Sequence, residues 1–464
     1  MNKNNALLSE YSEVFISDFL NNPVKTYRKR RENLLSHLDS FCVFAGVSIE
    51  PGLDETFSSV WTRFIQDPAF LFLTGINQVG CYLLLDPLAP KKEDQEILFI
   101  PPKNANKEFW LGKRMGYEAE LEDLKSLTGF ENILPNGALW GKILDLSERS
   151  KTPAKAYAFF YDAIHTDHNA KFVQKLEDFL PDSMDLKNIA DVHLDLRMSL
   201  DEERVTLVQK AQAISKDAFL SILKNMGSYK TERDLSLQLN LALQLQSDGD
   251  LAFPTIVAAG KNACSLHYSK KDEPLCLGDL VLLDFGIRVN TQHSDISRTI
   301  PISGVFNPLQ KLLYNIVLDA QAFHEAQVKP GFSLAELDPL VWDFIIRELE
   351  NRLVKKGGSY KLLYDKRPHG VSHFIGEFIH EGDPKGRSLD KKLKAGMLIS
   401  NEPGLYGHFE LEIQSNLYKE QIGIRIEDNL LITETGCINL SKSIPKTVSE
   451  IEAWMAPSKF TSNL

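Results

Sequence analysis

The sequence predicts an α/β (α+β) protein of two domains, the first built on a mixed sheet. Three observations carry this expectation. The chain has 464 residues, too many for one ordinary core. Its first part holds short apolar runs bounded by turn residues, the pattern of strands joined by tight connections. Around residues 190–200 the pattern changes to long helical periods, and from about 252 onward it becomes strand-rich. The domains are accordingly placed at 1–195 and 196–464.

Taken in order, Arg28 to Leu38 (RKRRENLLSHL) reads as a basic amphipathic helix. FCVFAGV (41–47), FLFLTG (70–75), CYLLLDP (81–87), ILFIP (97–101) and AYAFFY (156–161) have the length and flanks of strands. LDEERVTLVQKAQAISKDAFLSIL (200–223) opens on acids and repeats apolar residues at three- and four-residue spacing, so it reads as a helix, with a second over about 231–248. VLLDFGIRV and SDISRTIPI read as two strands of a hairpin centred between Val289 and Asn290, which sets Asp284 directly opposite Asp295. Opposed Cβ atoms lie ~4.5–5.5 Å apart, and two like charges there are destabilising unless a cation lies between them. In GIRIEDNLLIT, alternation turns Ile424 and Ile426 one way and Arg425 and Glu427 the other. Glu402 follows the apolar stretch GMLIS (396–400) and opens the turn at Pro403-Gly404. His369, His373 and His380 fall within one short segment of a chain that has only 11 histidines, and Gly370 and Val371 favour an irregular or strand-like path there.

The net charge of -11 and a pI near 5.6 argue against a nucleic-acid partner. The basic residues at 28–31 read as a solvated helix face. Cys42, Cys81, Cys264, Cys276 and Cys437 are scattered without a CxxC pair, which implies neither a zinc knuckle nor a disulfide framework and points to a reduced, cytoplasmic compartment. The N-terminus has no signal-type apolar core, and no apolar run approaches the ~18–20 residues of a membrane span, so no membrane association is expected.

Five residues stand out as metal-ligand types in a fixed order: Asp284, Asp295, His373, Glu402 and Glu427. Four hard carboxylates and one imidazole suit divalent ions with oxygen and nitrogen ligands. Four acids around one small ion would repel each other, so the set fits two ions better than one.

With these residues in hand, the C-terminal half resembles the pita-bread metallopeptidases, a family that includes methionine aminopeptidase, prolidase and aminopeptidase P. The closer resemblance is to the aminopeptidase P (Xaa-Pro aminopeptidase) group. It rests on AAGKNACSLHY (258–268), RPHGVSHFIGEFIH (367–380), NEPGLY (401–406), GIRIEDNLLITETGCINLS (423–441) and SEIEAWM (449–455). FIQDPAFLFLTGINQVGCYLLLD (64–86) and EFWLGKRMG (108–116) resemble that group's non-catalytic domain. The chain departs from the pattern at Ser400-Asn401, Glu381-Gly382-Asp383-Pro384 and His293-Ser294, all beside the ligands and not at them.

The resemblance implies a pita-bread catalytic domain that releases the first residue of a peptide whose second residue is proline. It implies two Mn²⁺-type ions held by Asp284, Asp295, His373, Glu402 and Glu427. Glu402 would act as general base, His267 and His380 as donors to the substrate carbonyl, and His369 and Arg425 as orienting groups, with Tyr406 beside them. It also implies a homodimer or homotetramer. Prolidase, which cleaves Xaa-Pro dipeptides, shares the five ligands and is the alternative reading. Creatinase works without metal, and peptide-binding modules of this fold generally lack the ligands. Methionine aminopeptidase lacks the large N-terminal domain.

Overall fold

A computed structural model describes residues 3–16, 22–47, 66–118, 120–149, 154–160, 167–247, 250–365, 367–382 and 387–456, and the statements below concern these. The ends of three segments read from the sequence, at 64–65, Tyr161 and Asp248, lie outside them, as do Asp383 and Pro384. The chain divides into two compact units between Arg197 and Met198.

The first unit is built on six strands: β1 (Cys42–Ala45), β2 (Tyr82–Leu85), β3 (Glu96–Ile100), β4 (Asn132–Pro135), β5 (Ala154–Ala158) and β6 (Met184–Asn188), in the order β4-β3-β2-β1-β5-β6. Pairs β1–β2 and β2–β3 are antiparallel and the other three parallel, so the sheet is mixed as the sequence predicts. Its central strands β1, β2 and β3 are apolar on both faces because helices cover both. Cys42, Phe44, Leu83 and Leu85 join one core, while Val43, Ala45, Leu84, Ile97 and Phe99 join the other.

The segment FLFLTG is a correction. It ends a helix, Pro68–Thr74, and not a strand. Asp67 caps the helix by accepting from the Phe70 amide at 3.0 Å, Pro68 occupies the first turn, and Gly75 stops it at φ +71°. The capping signals decide against the apolar run's strand propensity.

The second unit begins with helices Glu202–Asn225 and Glu232–Gln244. Strands β7 (Ile256–Ala259), β8 (Leu280–Phe285) and β11 (Ile296–Pro301) form one sheet in the order β11-β8-β7, and β9 (Arg288–Val289) pairs with β10 (Gln292–His293) as a short ribbon. After helices Pro308–Gln327 and Leu334–Arg352 come β12 (Ser359–Leu362), β13 (Phe374–Ile375), β14 (Leu398–Asn401), β15 (Gly404–Ile413), β16 (Asn416–Arg425), β17 (Asp428–Ile432) and β18 (Cys437–Asn439). They make two sheets, β12-β15-β16 and β13-β14-β17-β18. A final helix, Val448–Met455, closes on the first one.

The hairpin register is a second correction. Asp284 pairs with Ser297, not with Asp295. The turn is one residue later than expected: Val289 pairs with Gln292, and Asn290 takes the left-handed conformation at φ +53°. Asparagine tolerates that conformation where the β-branched Val289 does not. Asp295 therefore sits diagonally from Asp284, on the stretch between β10 and β11.

One buried cation ties these sheets together. Arg298, fully buried on β11, donates to the carbonyls of Glu427 (2.6 Å), Pro445 (2.9 Å) and Ile444 (3.2 Å) and to the Asp428 carboxylate (2.8 Å). Asp428 also accepts from Asn439 and Lys446. Opposite charges near Asp428 hold its carboxyl below the usual range against the upward push of burial. Removing the guanidinium leaves three carbonyls without their donors and a buried charge half compensated. Arg298→Met is expected to cost about 3–5 kcal/mol in chemical denaturation. A loss under about 1 kcal/mol would show that the pair is replaceable.

Candidate metal centre

The five candidate ligands come from five separate backbone positions that strand pairing gathers at one place. Asp284 lies near the end of β8, Asp295 just before β11, His373 just before β13, Glu402 just after β14, and Glu427 in the link between β16 and β17. Ligand atoms of Asp295, His373 and Glu427 lie within 4.8 Å of one another. His373 Nε2 is 3.3 Å from Asp295 Oδ2 and 3.4 Å from Glu402 Oε1. Asp284 is turned towards Arg425, whose Nη2 donates to its Oδ2 at 2.6 Å.

The scaffold fixes each of these groups through its backbone. Asn429 clamps Asp295 as a neighbouring strand would: its Oδ1 accepts from the Asp295 amide at 3.0 Å and its Nδ2 donates to the Asp295 carbonyl at 2.8 Å. Gln212 and Ser441 in turn hold Asn429. The Glu427 amide donates to the Ser297 carbonyl at 3.0 Å, and Ser297 Oγ donates to Glu427 Oε2 at 2.9 Å. Ser400 Oγ accepts from the His373 amide at 2.9 Å and donates to Glu402 Oε1 at 3.1 Å. His373 Nδ1 sits 3.1 Å from the Phe374 carbonyl, which fixes the proton there and leaves Nε2 facing the acids.

Around this set stand the other predicted residues. Arg425 Nε donates to Ser297 Oγ at 2.8 Å and Nη1 to the Tyr406 hydroxyl at 3.2 Å. His369 Nδ1 donates to the Gly370 carbonyl at 2.7 Å, so its Nε2 accepts from Tyr406 at 3.1 Å. The His380 ring lies tilted by 44° against that of His373, with centroids 4.1 Å apart. Its loop is organised by the buried Glu381 carboxylate, which accepts from the amides of Glu377 (2.9 Å), Phe378 (3.3 Å) and Gly382 (3.0 Å). His267 is exposed.

The sequence reading missed Ser297, Asn429 and Gln212. The first was within reach: Ser297 lies two residues beyond Asp295 and opposite Asp284 in the true register. The other two act through tertiary contacts with sequence separations of 134 and 217 residues, which no local pattern encodes.

The electrostatics show what the arrangement accommodates. Burial raises the pKa of Asp284 and Glu427, with neighbouring acids adding to the shift, and raises Glu402 to about 7. Burial alone would lower His373, but Asp295 and Glu402 bring it up to about 9. His369 is lowered to about 4 by burial and Arg425, and His380 to about 4 by the charge of His373 and by burial. Asp284 Oδ1 is buried without a hydrogen-bond partner among the described residues. Four buried or half-buried acids, one imidazole whose Nε2 faces them, and an orphaned carboxylate oxygen are the donor set that divalent cations fit.

A centre of hard ligands at the strand ends of a C-terminal α/β unit, preceded by a separate mixed-sheet unit, defines a two-domain metallohydrolase. The profile of metallopeptidase family M24 matches residues 206–434, and that of the aminopeptidase P N-terminal domain matches residues 27–152. A Xaa-Pro aminopeptidase of Haemophilus influenzae is 29% identical over 455 residues, covering 93% of this chain and 97% of its own. The structure of Pseudomonas aeruginosa aminopeptidase PepP superposes with a TM-score of 0.75 at 25% identity, covering 94% of this chain and 98% of that one. Icp55 of Saccharomyces cerevisiae does so with a TM-score of 0.77 at 25% identity, covering 93% and 97%. The chain belongs to metallopeptidase family M24, as a member with an aminopeptidase P N-terminal domain ahead of its pita-bread catalytic domain. That membership implies divalent metal ions. No helix among the described residues is long and apolar enough to cross a membrane.

The pKa shifts give a signed pH dependence for the metal-free protein. Glu402, raised from 4.5 to about 7, contributes stability that is present below 4.5 and lost as pH rises through about 7. His373, raised from 6.5 to about 9, does the same between those values. Both groups hold protons at neutral pH that a metal must displace. Titration calorimetry with Mn²⁺ in buffers of different ionisation enthalpy is expected to show proton release at pH 7, decreasing towards pH 9. Glu427→Gln is expected to raise the thermal midpoint of the metal-free protein while abolishing its rise on adding metal. Binding without proton release at pH 7 would contradict a protonated Glu402 and His373 in the metal-free site.

Proposed function

We propose that the protein is a metallo-aminopeptidase that releases the N-terminal residue from peptides with proline in the second position. The convergence of Asp295, His373 and Glu427 on one point, with Glu402 and Asp284 beside them, is the observation that carries this reading. Xaa-Pro aminopeptidases and aminopeptidase P structures among the relatives support it over prolidase. Asp284, Asp295, His373, Glu402 and Glu427 would hold two divalent ions of the Mn²⁺ type. When bound, such ions acidify water and polarise a carbonyl.

The chain's own residues account for the rest. Once metal displaces its proton, the Glu402 carboxylate can take a proton from water and return it to a leaving nitrogen. With Glu402 Oε1 held by Ser400, Oε2 is the oxygen that takes the proton from attacking water and returns it to the prolyl nitrogen. His380 and His267 donate to the substrate carbonyl, where negative charge develops. Burial and the Arg425 charge keep His369 neutral, Tyr406 orients its ring, and Arg425 holds Asp284 and Tyr406 in register. An Xaa-Pro bond lacks the N–H that other peptidases use, so selection falls to the ring and the free α-amine. The protein works as a homodimer or homotetramer in the cytoplasm, without nucleic acid or membrane partners.

The test is hydrolysis of Xaa-Pro-Xaa tripeptide against Xaa-Pro dipeptide by metal-stripped protein with Mn²⁺ restored. Mn²⁺-dependent release of the first residue from the tripeptide is expected. Glu402→Gln should lower kcat by about 10²–10⁴-fold. Cleavage of the dipeptide alone would make the protein a prolidase, and cleavage of neither would remove the peptidase reading.

A further inference from the structure

Glu232 is a carboxylate with no exposed surface, far in sequence from every residue assigned above. It is the first residue of the helix Glu232–Gln244, capped by Thr231. Its Oε1 accepts from the Ala259 amide at 2.7 Å and from Asn262 Nδ2 at 3.0 Å. Its Oε2 accepts from the Tyr268 hydroxyl at 2.9 Å and from the Glu273 amide at 3.3 Å. Its own amide donates to the Glu273 carbonyl at 3.0 Å. One side chain thus fastens the beginning, middle and end of the segment 259–273. Burying a carboxylate is costly unless such donors compensate it, and charge-assisted bonds are stronger than neutral ones.

That segment carries His267. Two successive turns, closed by Ser265 N to Asn262 O (2.9 Å) and Tyr268 N to Ser265 O (3.1 Å), lift His267 into the open. The segment also rests directly on β16. A Cβ at Gly423 would lie 2.2 Å from the Ala263 carbonyl, so only glycine allows the approach, two residues from Arg425. Burial and donation to Glu232 push the Tyr268 hydroxyl up to about 12, so it stays a donor at any working pH. Cys264, Leu266 and Tyr268 pack in one apolar cluster with Tyr406, the residue bonded to both His369 and Arg425, which places the segment beside the ligand cluster.

We propose that Glu232 is a positioning residue for the peptidase reaction, one that sets the height and direction of His267 over the metal ligands through the Asn262–Tyr268 turn. The proposal rests on the function assigned to His267 above. The same device recurs at Glu381, whose carboxylate gathers the amides of the loop bearing His380.

The test compares Glu232→Gln, Tyr268→Phe, His267→Ala and the double variant Glu232→Gln/His267→Ala, all loaded with Mn²⁺, on an Xaa-Pro-Xaa tripeptide. Glu232→Gln is expected to lower kcat by about 10–100-fold with a smaller change in KM and unchanged metal content. Tyr268→Phe, which removes a single bond, should shift kcat in the same direction by less, and it carries the test where Glu232→Gln does not fold. In the His267→Ala background the Glu232→Gln effect should disappear. An equal loss in both backgrounds would reduce Glu232 to a structural role and overturn the proposal. Amide hydrogen exchange on metal-free protein separates this from failure of the peptidase reading. Faster exchange confined to 259–273 in Glu232→Gln supports the anchor even without activity, and exchange raised throughout the catalytic unit overturns it.

Discussion

Buried negative charge is the constraint on which the rest of the catalytic unit depends. Asp284, Asp295, Glu402 and Glu427 meet in one low-dielectric place, opposed by Arg425 and by the imidazolium of His373. Carboxylates so placed repel each other and lose their water, so Asp284, Glu402 and Glu427 resist ionisation. The protein holds them there by fastening their backbones, and the divalent ions expected of the family supply the missing positive charge.

Holding repelling groups together requires a rigid frame, and the frame is polar. Arg298 joins β11 to the carbonyls around Glu427 and to Asp428, so the ligand link between β16 and β17 cannot shift independently. Asn429 copies a strand partner for Asp295 at the point where β10 ends and β11 has not begun. Ser297 and Ser400 each serve two ligands or a ligand and its neighbour with one hydroxyl. Such networks stabilise only when every member is satisfied, which ties the precision of the site to the integrity of all of them.

Much of this was legible in the sequence because its signals are local. Apolar runs gave β1, β2, β3 and β5; acidic starts with helical periodicity gave the helix Glu202–Asn225; the ordered acids and histidines gave the ligand set and the family. What was illegible depends on competition or distance. FLFLTG has strand composition, and only the Asp67-Pro68 and Gly75 caps reveal a helix. The Asp284–Asp295 pairing failed by a one-residue shift of the turn, set by the left-handed tolerance of Asn290. Parity survived that error, since a register shift of two residues keeps side chains on the same face, and so both acids still point to the site. Glu232 and Asn429 carry no motif at all, because their partners lie in other elements.

The central claim is that these five residues form a site for two divalent ions. Its most direct test is an anomalous difference map from crystals of the Mn²⁺-loaded protein, collected at the manganese edge. The account predicts two peaks per chain, both among Asp284, Asp295, His373, Glu402 and Glu427. A single peak would show that the four acids share one ion and stay partly protonated, and peaks away from these residues would contradict the account.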